Sequence, residues 1–220
     1  MAQTEYIGAG TINKVTDIVR ELGALKIFLV AGKHSFAASG AEAALMPMLS
    51  NAVVTRFDDM GGLPTQEDVE KGIVMYKAAD PDLVVAVGGG HVMDIAKAVN
   101  FLTSKKPLVA VPTTAGSGAE ATPFAVVYKD GVKTSLEDAG VLPTYAIVDP
   151  DLGQSVSRQV SCASGLDALC QAIESLWARG GTDESRVYAT EALDLAWRNL
   201  RRAVDGDREA RAKLMEGAHL

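Results

Sequence analysis

The chain has 220 residues, 48% of them hydrophobic and 22% charged, with a formal net charge of −7. Basic residues cluster only at Lys105-Lys106 and Arg201-Arg202, and aromatics are scarce, so a nucleic-acid-binding face is disfavoured. No apolar run approaches a membrane span, and the Met-Ala-Gln-Thr-Glu start lacks basic and apolar leader regions, so a cytoplasmic protein is expected, its two cysteines (Cys162 and Cys170) reduced.

Ile12, Val15, Ile18, Val19 and Leu22 recur at helical spacing, and Gly23 follows as a stop. Lys26–Val30 and Ala52–Phe57 read as buried strands. Thr65 before Gln66-Glu67-Asp68 has the form of an N-cap with an acidic first turn, opening a helix through Val69, Ile73 and Tyr76. Strands follow at Leu83–Val87, Leu108–Val111, Phe124–Tyr128 and Tyr145–Asp149. Strands alternating with helices predict an α/β fold with a largely parallel sheet covered on both faces. After Asp149-Pro150-Asp151 the pattern is helical only: Ser157–Ala178 as one helix or two with a break at Ser164-Gly165, Glu184–Val204 with Thr190, Leu193, Trp197 and Leu200 on one stripe, and a third from Asp207 that the chain leaves unfinished. The expected organisation is an α/β domain over 1–152 and the front part of an all-helical domain over 153–220. A short helical tail docked on the sheet domain is the alternative.

Two glycine-rich stretches carry the functional signal. Gly88-Gly89-Gly90 follows the first of two adjacent strands, and Pro112-Thr113-Thr114-Ala115-Gly116-Ser117-Gly118 follows the second. A strand that ends in glycines and opens into a helix offers bare N–H groups at a positive helix end, where phosphate sits. Two such loops in series point to one extended phosphate-bearing ligand, a dinucleotide. Asp94 could hold the loop or a ribose hydroxyl, and Thr113, Thr114 and Ser117 offer hydroxyls. Plain tight turns with capping hydroxyls account for the same residues. Lys133 could reach a phosphate or be an exposed loop charge. Asp167 and Gln171, four apart on a helix, share a face. A Gln carbonyl is a weak metal ligand, so a hydrogen-bonded polar pair is the stronger reading from these residues alone.

Taken with Lys133-Thr134-Ser135, Ala146–Pro150 and Ala163-Ser164-Gly165-Leu166-Asp167-Ala168-Leu169, the two loops occur in the order found in iron-containing (group III) alcohol dehydrogenases, which this chain resembles along essentially its whole length. The resemblance implies a dehydroquinate synthase-like fold, a nicotinamide cofactor (NAD or NADP) held by Gly88, Gly89, Gly90, Asp94, Thr113, Thr114, Ser117 and Lys133, and a divalent metal, iron or zinc, in a cleft between two domains. Asp167 matches the family's aspartate ligand. Gln171 stands where a histidine is usual, and His91 replaces the more usual serine. Gly32, flanked by Lys33, stands where the family often has a carboxylate, which removes repulsion against a 2′-phosphate and permits NADP. The segment around Gln171 resembles the branch that includes phosphonoacetaldehyde reductases. The implied activity is hydride transfer between nicotinamide and a small aldehyde or alcohol, in a homo-oligomer when full length. A lyase on the same scaffold and an inactive nucleotide-binding fragment are the alternatives. The family's full-length members run well past Leu220, so the chain reads as C-terminally truncated and, alone, as a weak nucleotide binder with little or no dehydrogenase activity.

Overall fold

A computed structural model describes residues 3–220. Six strands form one parallel sheet: β1 (Thr4–Ile7), β2 (Lys26–Ala31), β3 (Val53–Phe57), β4 (Leu83–Gly88), β5 (Leu108–Pro112) and, after a separate β6–β7 hairpin, β8 (Tyr145–Val148). Their order is β1-β8-β5-β4-β2-β3. The helices between them are α1 (Lys14–Leu22), α2 (Ser35–Ala38), α3 (Ala41–Met48), α4 (Gln66–Ala79) and α5 (Gly90–Phe101).

The alternation of strand side chains builds two cores. Leu83, Val85 and Val87 pack with Ile27, Leu29, Val15 and Ile18 on one face. Val84 and Ala86 pack with Phe28, Val30, Ile95 and Val99 on the other. Both faces of β4 are therefore dry, as a central parallel strand requires. Thr65 caps α4 by accepting from the Asp68 N–H, and Gly23 ends α1 in the left-handed conformation, as the sequence indicates.

The strand at 124–128 does not join the sheet. It forms β6 (Phe124–Lys129), antiparallel to β7 (Val132–Glu137). The turn between them is Asp130-Gly131, with φ of 50° and 77°. Two central residues at positive φ are what a tight hairpin needs to match strand twist. Lys133 thus lies within a strand, opposite Tyr128, and is exposed.

Three helices complete the chain: α6 (Arg158–Trp177), α7 (Asp183–Val204) and α8 (Arg208–His219). The predicted break at Ser164-Gly165 is absent, and α6 is continuous. Gly165 is a packing glycine: a Cβ there would collide with Leu200 and lie 2.9 Å from a Leu214 methyl. The buried stripe of α7 is Ala189, Ala192, Ala196 and Ala203, with Leu193 and Leu200 at its edge. Thr190 is exposed, and Trp197 (73% exposed) and Trp177 (79%) point away from the core. Small residues let α6, α7 and α8 approach closely. No described helix is long and apolar enough to cross a membrane.

Overpacking this contact is costly. Gly165→Val is expected to lower stability by about 1–3 kcal/mol, read by urea denaturation of the chain. Unchanged stability would show that Leu200 and Leu214 yield freely.

Candidate functional site: a cleft at the strand ends

The connections place a switch point in the sheet. From β2 the chain moves outward to β3, then returns to β4 on the other side of β2. Connections leaving the C-terminal ends of β2 and β4 diverge, which opens a crevice there. A cleft of about 540 Å³ occupies that place. Its lining comes from residues after β2 (His34, Ser35), after β4 (Gly89, Gly90, His91), after β5 (Thr113, Thr114) and from α6 (Val160, Ala163, Ser164).

Gly88 ends β4 and Gly90 begins α5, so Gly89 alone separates strand from helix. The first N–H groups of α5 have no intrahelical acceptor and carry the positive end of its dipole. They open beside the cleft, and neither Gly89 nor Gly90 adds a side chain of its own there. The Thr113 N–H donates to the Gly88 carbonyl at 2.9 Å, which fixes the second loop against the first. That loop does not open into an α-helix. It folds over the start of α5 and ends in a single turn of 3₁₀ helix at Ala119–Ala121. A Cβ on Gly90 would lie 2.7 Å from the Ser117 hydroxyl, so the glycine permits this approach.

Of the residues singled out in the sequence, Gly89, Gly90, Thr113 and Thr114 line the cleft. Gly88 is buried beneath them. Gly32 is buried shortly before the short α2, with Lys33 exposed next to it and outside the cleft lining. Ser117 and Gln171 line a different cavity of about 310 Å³, together with Thr122, Tyr188 and His219. Asp167 lies one turn before Gln171 on α6 and four residues after Ala163, between the two cavities along one helix face; both residues are exposed. The resemblance places Ser35 beside Gly32 at the end of β2, but sequence reasoning misses His34 and the α6 residues as lining, because nothing local shows which loops a switch point brings together.

Asp94 is on the second turn of α5, facing the β6–β7 hairpin. Burial pushes its carboxyl up to about 6, against the opposing pull of the Val126 N–H and of the Lys97 and Lys133 charges. Lys133 is therefore near Asp94. Lys97, one turn on, is fully buried. Its ammonium donates to the carbonyls of Ala119 and Thr122, both at 2.7 Å, and burial brings it down to about 8. Glu120 in the same turn meets His219 Nδ1 at 3.1 Å, and its carbonyl accepts from Gln3 Nε2 at 2.6 Å. These contacts pin the far end of the second loop.

The donor set does not fit a metal by itself. Asp167 is one carboxylate, Gln171 is a neutral amide, and the described residues contain no group of three or more His, Cys, Asp or Glu placed to hold an ion.

The profile of the family described as iron-containing alcohol dehydrogenase matches residues 2–150. The chain belongs to that family. An alcohol dehydrogenase of Thermococcus barophilus is 32% identical over 74% of this chain and 49% of its own length. The crystal structure of sulfoacetaldehyde reductase from Bifidobacterium kashiwanohense in complex with NAD+ superposes with a TM-score of 0.92 at 31% identity, over 99% of this chain and 63% of that one. An iron-containing alcohol dehydrogenase from Thermotoga maritima gives a TM-score of 0.92 at 32% identity, over 100% of this chain and 66% of that one. This iron-containing alcohol dehydrogenase family chain thus spans about half to two thirds of the length of these relatives.

The environment of Asp94 sets a pH dependence. Its folded pKa lies above the ordinary carboxylate value of 3.8, so the fold holds the proton more tightly than the unfolded chain does. Stability therefore falls as pH rises from about 4 to about 6, and the full cost applies above that. Asp94→Asn, which still accepts from Val126, is expected to be more stable than the parent at pH 8, by at most about 3 kcal/mol after allowing for partial exposure. At pH 4 the gain should shrink to near zero. Thermal melts at the two pH values check this; an equal difference at both would contradict it.

Proposed function

We propose that this chain is the cofactor-binding part of a nicotinamide-dependent alcohol dehydrogenase or aldehyde reductase, transferring hydride between NAD(P)H and a small aldehyde. The observation that carries the proposal is the cleft at the β2–β4 switch point, floored by the Gly89-Gly90 amides and walled by Thr113 and Thr114. A diphosphate on the α5 N-terminus would meet unpaired N–H donors and a favourable dipole. The two threonine hydroxyls suit the adjoining ribose or phosphate oxygens. The cofactor supplies the hydride chemistry, and this chain's residues bind and orient it. The NAD+ complex of the sulfoacetaldehyde reductase, a structural neighbour, supports this reading.

NADP is proposed as an accepted cofactor. Gly32 leaves no carboxylate at the end of β2, the exposed Lys33 follows it in sequence, and Ser35 offers a hydroxyl in the cleft. Phosphonoacetaldehyde is the proposed substrate candidate. It shares with sulfoacetaldehyde a two-carbon aldehyde carrying a tetrahedral oxyanion. The cavity beside Gln171 offers hydroxyls from Ser117, Thr122 and Tyr188 and the His219 imidazole, with no Lys or Arg in its lining. Hydroxyls and imidazole, rather than a fixed cation, would therefore meet the tail on this side. Asp167 and Gln171 are the residues this chain would offer a metal, and no step is assigned to one.

Calorimetric titration with NADH and NADPH tests the cofactor reading: heat with either is expected, and none with both would end it. Net loss of NAD(P)H on adding small aldehydes to the full-length enzyme is expected, whereas a lyase would return its NAD unchanged. A side chain at Gly32 would collide with the Ser35 hydroxyl, so the informative variant is the pair Gly32→Asp with Ser35→Ala. It should weaken NADPH relative to NADH by about tenfold or more, read by the same titrations. An unaltered NADPH-to-NADH ratio would remove the role given to this corner.

A further inference from the structure

The cleft is unusual in what its lining lacks. Of its fifteen residues, none is an Asp, Glu, Lys or Arg, and the ionisable groups are His34 and His91. A diphosphate entering it meets backbone dipoles and hydroxyls, with no permanent cation in the lining. His91 is the second residue of α5, directly on the turn where those dipoles converge. Its Nδ1 lies 4.0 Å from the point a Cβ on Gly89 would occupy, so the ring sits beside the glycine turn. We propose that the His91 imidazole is the ionisable contact to the dinucleotide diphosphate, so that cofactor binding takes up a proton at this residue. The proposal rests on the cofactor reading above and adds a proton linkage to it.

Burial holds the free His91 ring below the usual histidine range, with the nearby Asp68 charge partly opposing that. The unliganded ring is therefore mostly neutral at pH 7 and accepts a hydrogen bond as readily as it donates one. A bound diphosphate reverses the balance, because two fixed negative charges favour imidazolium. Other groups around His91 can be named element by element. From α4 comes Asp68, whose carboxylate accepts the Thr65 hydroxyl at 2.7 Å. Residue His34, just before α2, stands in the same cleft lining. The loop after β5 brings the neutral Thr113 and Thr114, and α6 brings Val160, Ala163 and Ser164. On α5 itself, Asp94 lies one turn further, its carboxyl raised by burial to about 6. Asp94 protonation would also ease anion binding, so the contribution of His91 must be read as a difference against a His91 variant.

The sign follows from linkage. If the ligand raises the His91 pKa, affinity is highest below the free value and declines as pH rises through the bound value. Each unit of upward shift corresponds to about tenfold in affinity.

The chain has three histidines, so their ring signals are separable by NMR with two variants, His91→Ser and His34→Gln, and His219 by elimination. The probe is ADP-ribose, which carries the diphosphate without the nicotinamide. The expected result is that the signal missing in His91→Ser titrates about one unit higher with ADP-ribose bound. Calorimetry should show affinity rising about tenfold as pH falls from about 8 to below the titration of the free ring, which the same NMR series locates. His91→Ser should lose most of that rise, and His34→Gln should keep it. An unmoved His91 titration in the complex, or an undiminished pH slope in His91→Ser, would overturn the proposal. ADP-ribose that fails to bind at any pH would overturn the cofactor reading itself, a different outcome from binding without pH dependence.

Discussion

Parallel strands all end on the same edge of a sheet, and in this chain that edge is where backbone donors go unpaired. The transition from β4 to α5 takes a single residue, Gly89, so the Gly90 and His91 N–H groups face the cleft side of the turn without an intrahelical acceptor, and the two glycines add no side chain of their own. Strand order does the rest. Because the chain leaves β2 outward and returns to β4 on its other side, neighbouring loops part there instead of closing over the donors. A concavity with backbone donors on its floor follows from connectivity and the lack of side chains at two positions.

Holding that concavity in shape has a cost in stability that the buried charges of α5 display. Asp94 and Lys97 sit one helical turn apart, and burial moves each toward its neutral form. Lys97 spends its ammonium on the carbonyls of Ala119 and Thr122, which tie down the end of the second loop. Gln3 and His219 grip the same turn through Glu120. One short 3₁₀ turn is thus held by the start of the chain, by α5 and by the end of α8. The same turn contributes Ala121 to the lining of the cavity beside Gln171, so its anchors also shape that cavity.

Much of this was legible in the sequence. The β-branched runs at Leu83–Val87 and Leu108–Val111 can only be buried strands, and Gly88-Gly89-Gly90 marks the turn into a helix. Thr65 and Gly23 announce a helix start and a helix stop. The errors have physical causes. The strand pattern at 124–128 reads as one more sheet strand, although Asp130-Gly131 is a strong hairpin signal that sets it apart. Gly165 read as a helix breaker, since a glycine that weakens a helix and one that admits Leu200 and Leu214 look alike in one dimension. The stripe of Thr190, Leu193, Trp197 and Leu200 does not mark the buried face of α7, whose alanines are what the neighbouring helices pack against. The neighbours of the cleft from α2 and α6 could not be read at all, because strand order is a global property. Ser117 and Gln171 were legible as polar residues, but only the fold puts them in the lining of one cavity.

The central claim is that main-chain amides at the end of β4 receive the cofactor's diphosphate. The most direct measurement is a backbone amide NMR titration of the 220-residue chain with ADP-ribose. The account predicts that the largest shifts fall at Gly89, Gly90 and His91, with Thr113 and Thr114 next. Saturable binding whose shifts fall elsewhere, with those amides unmoved, would contradict it.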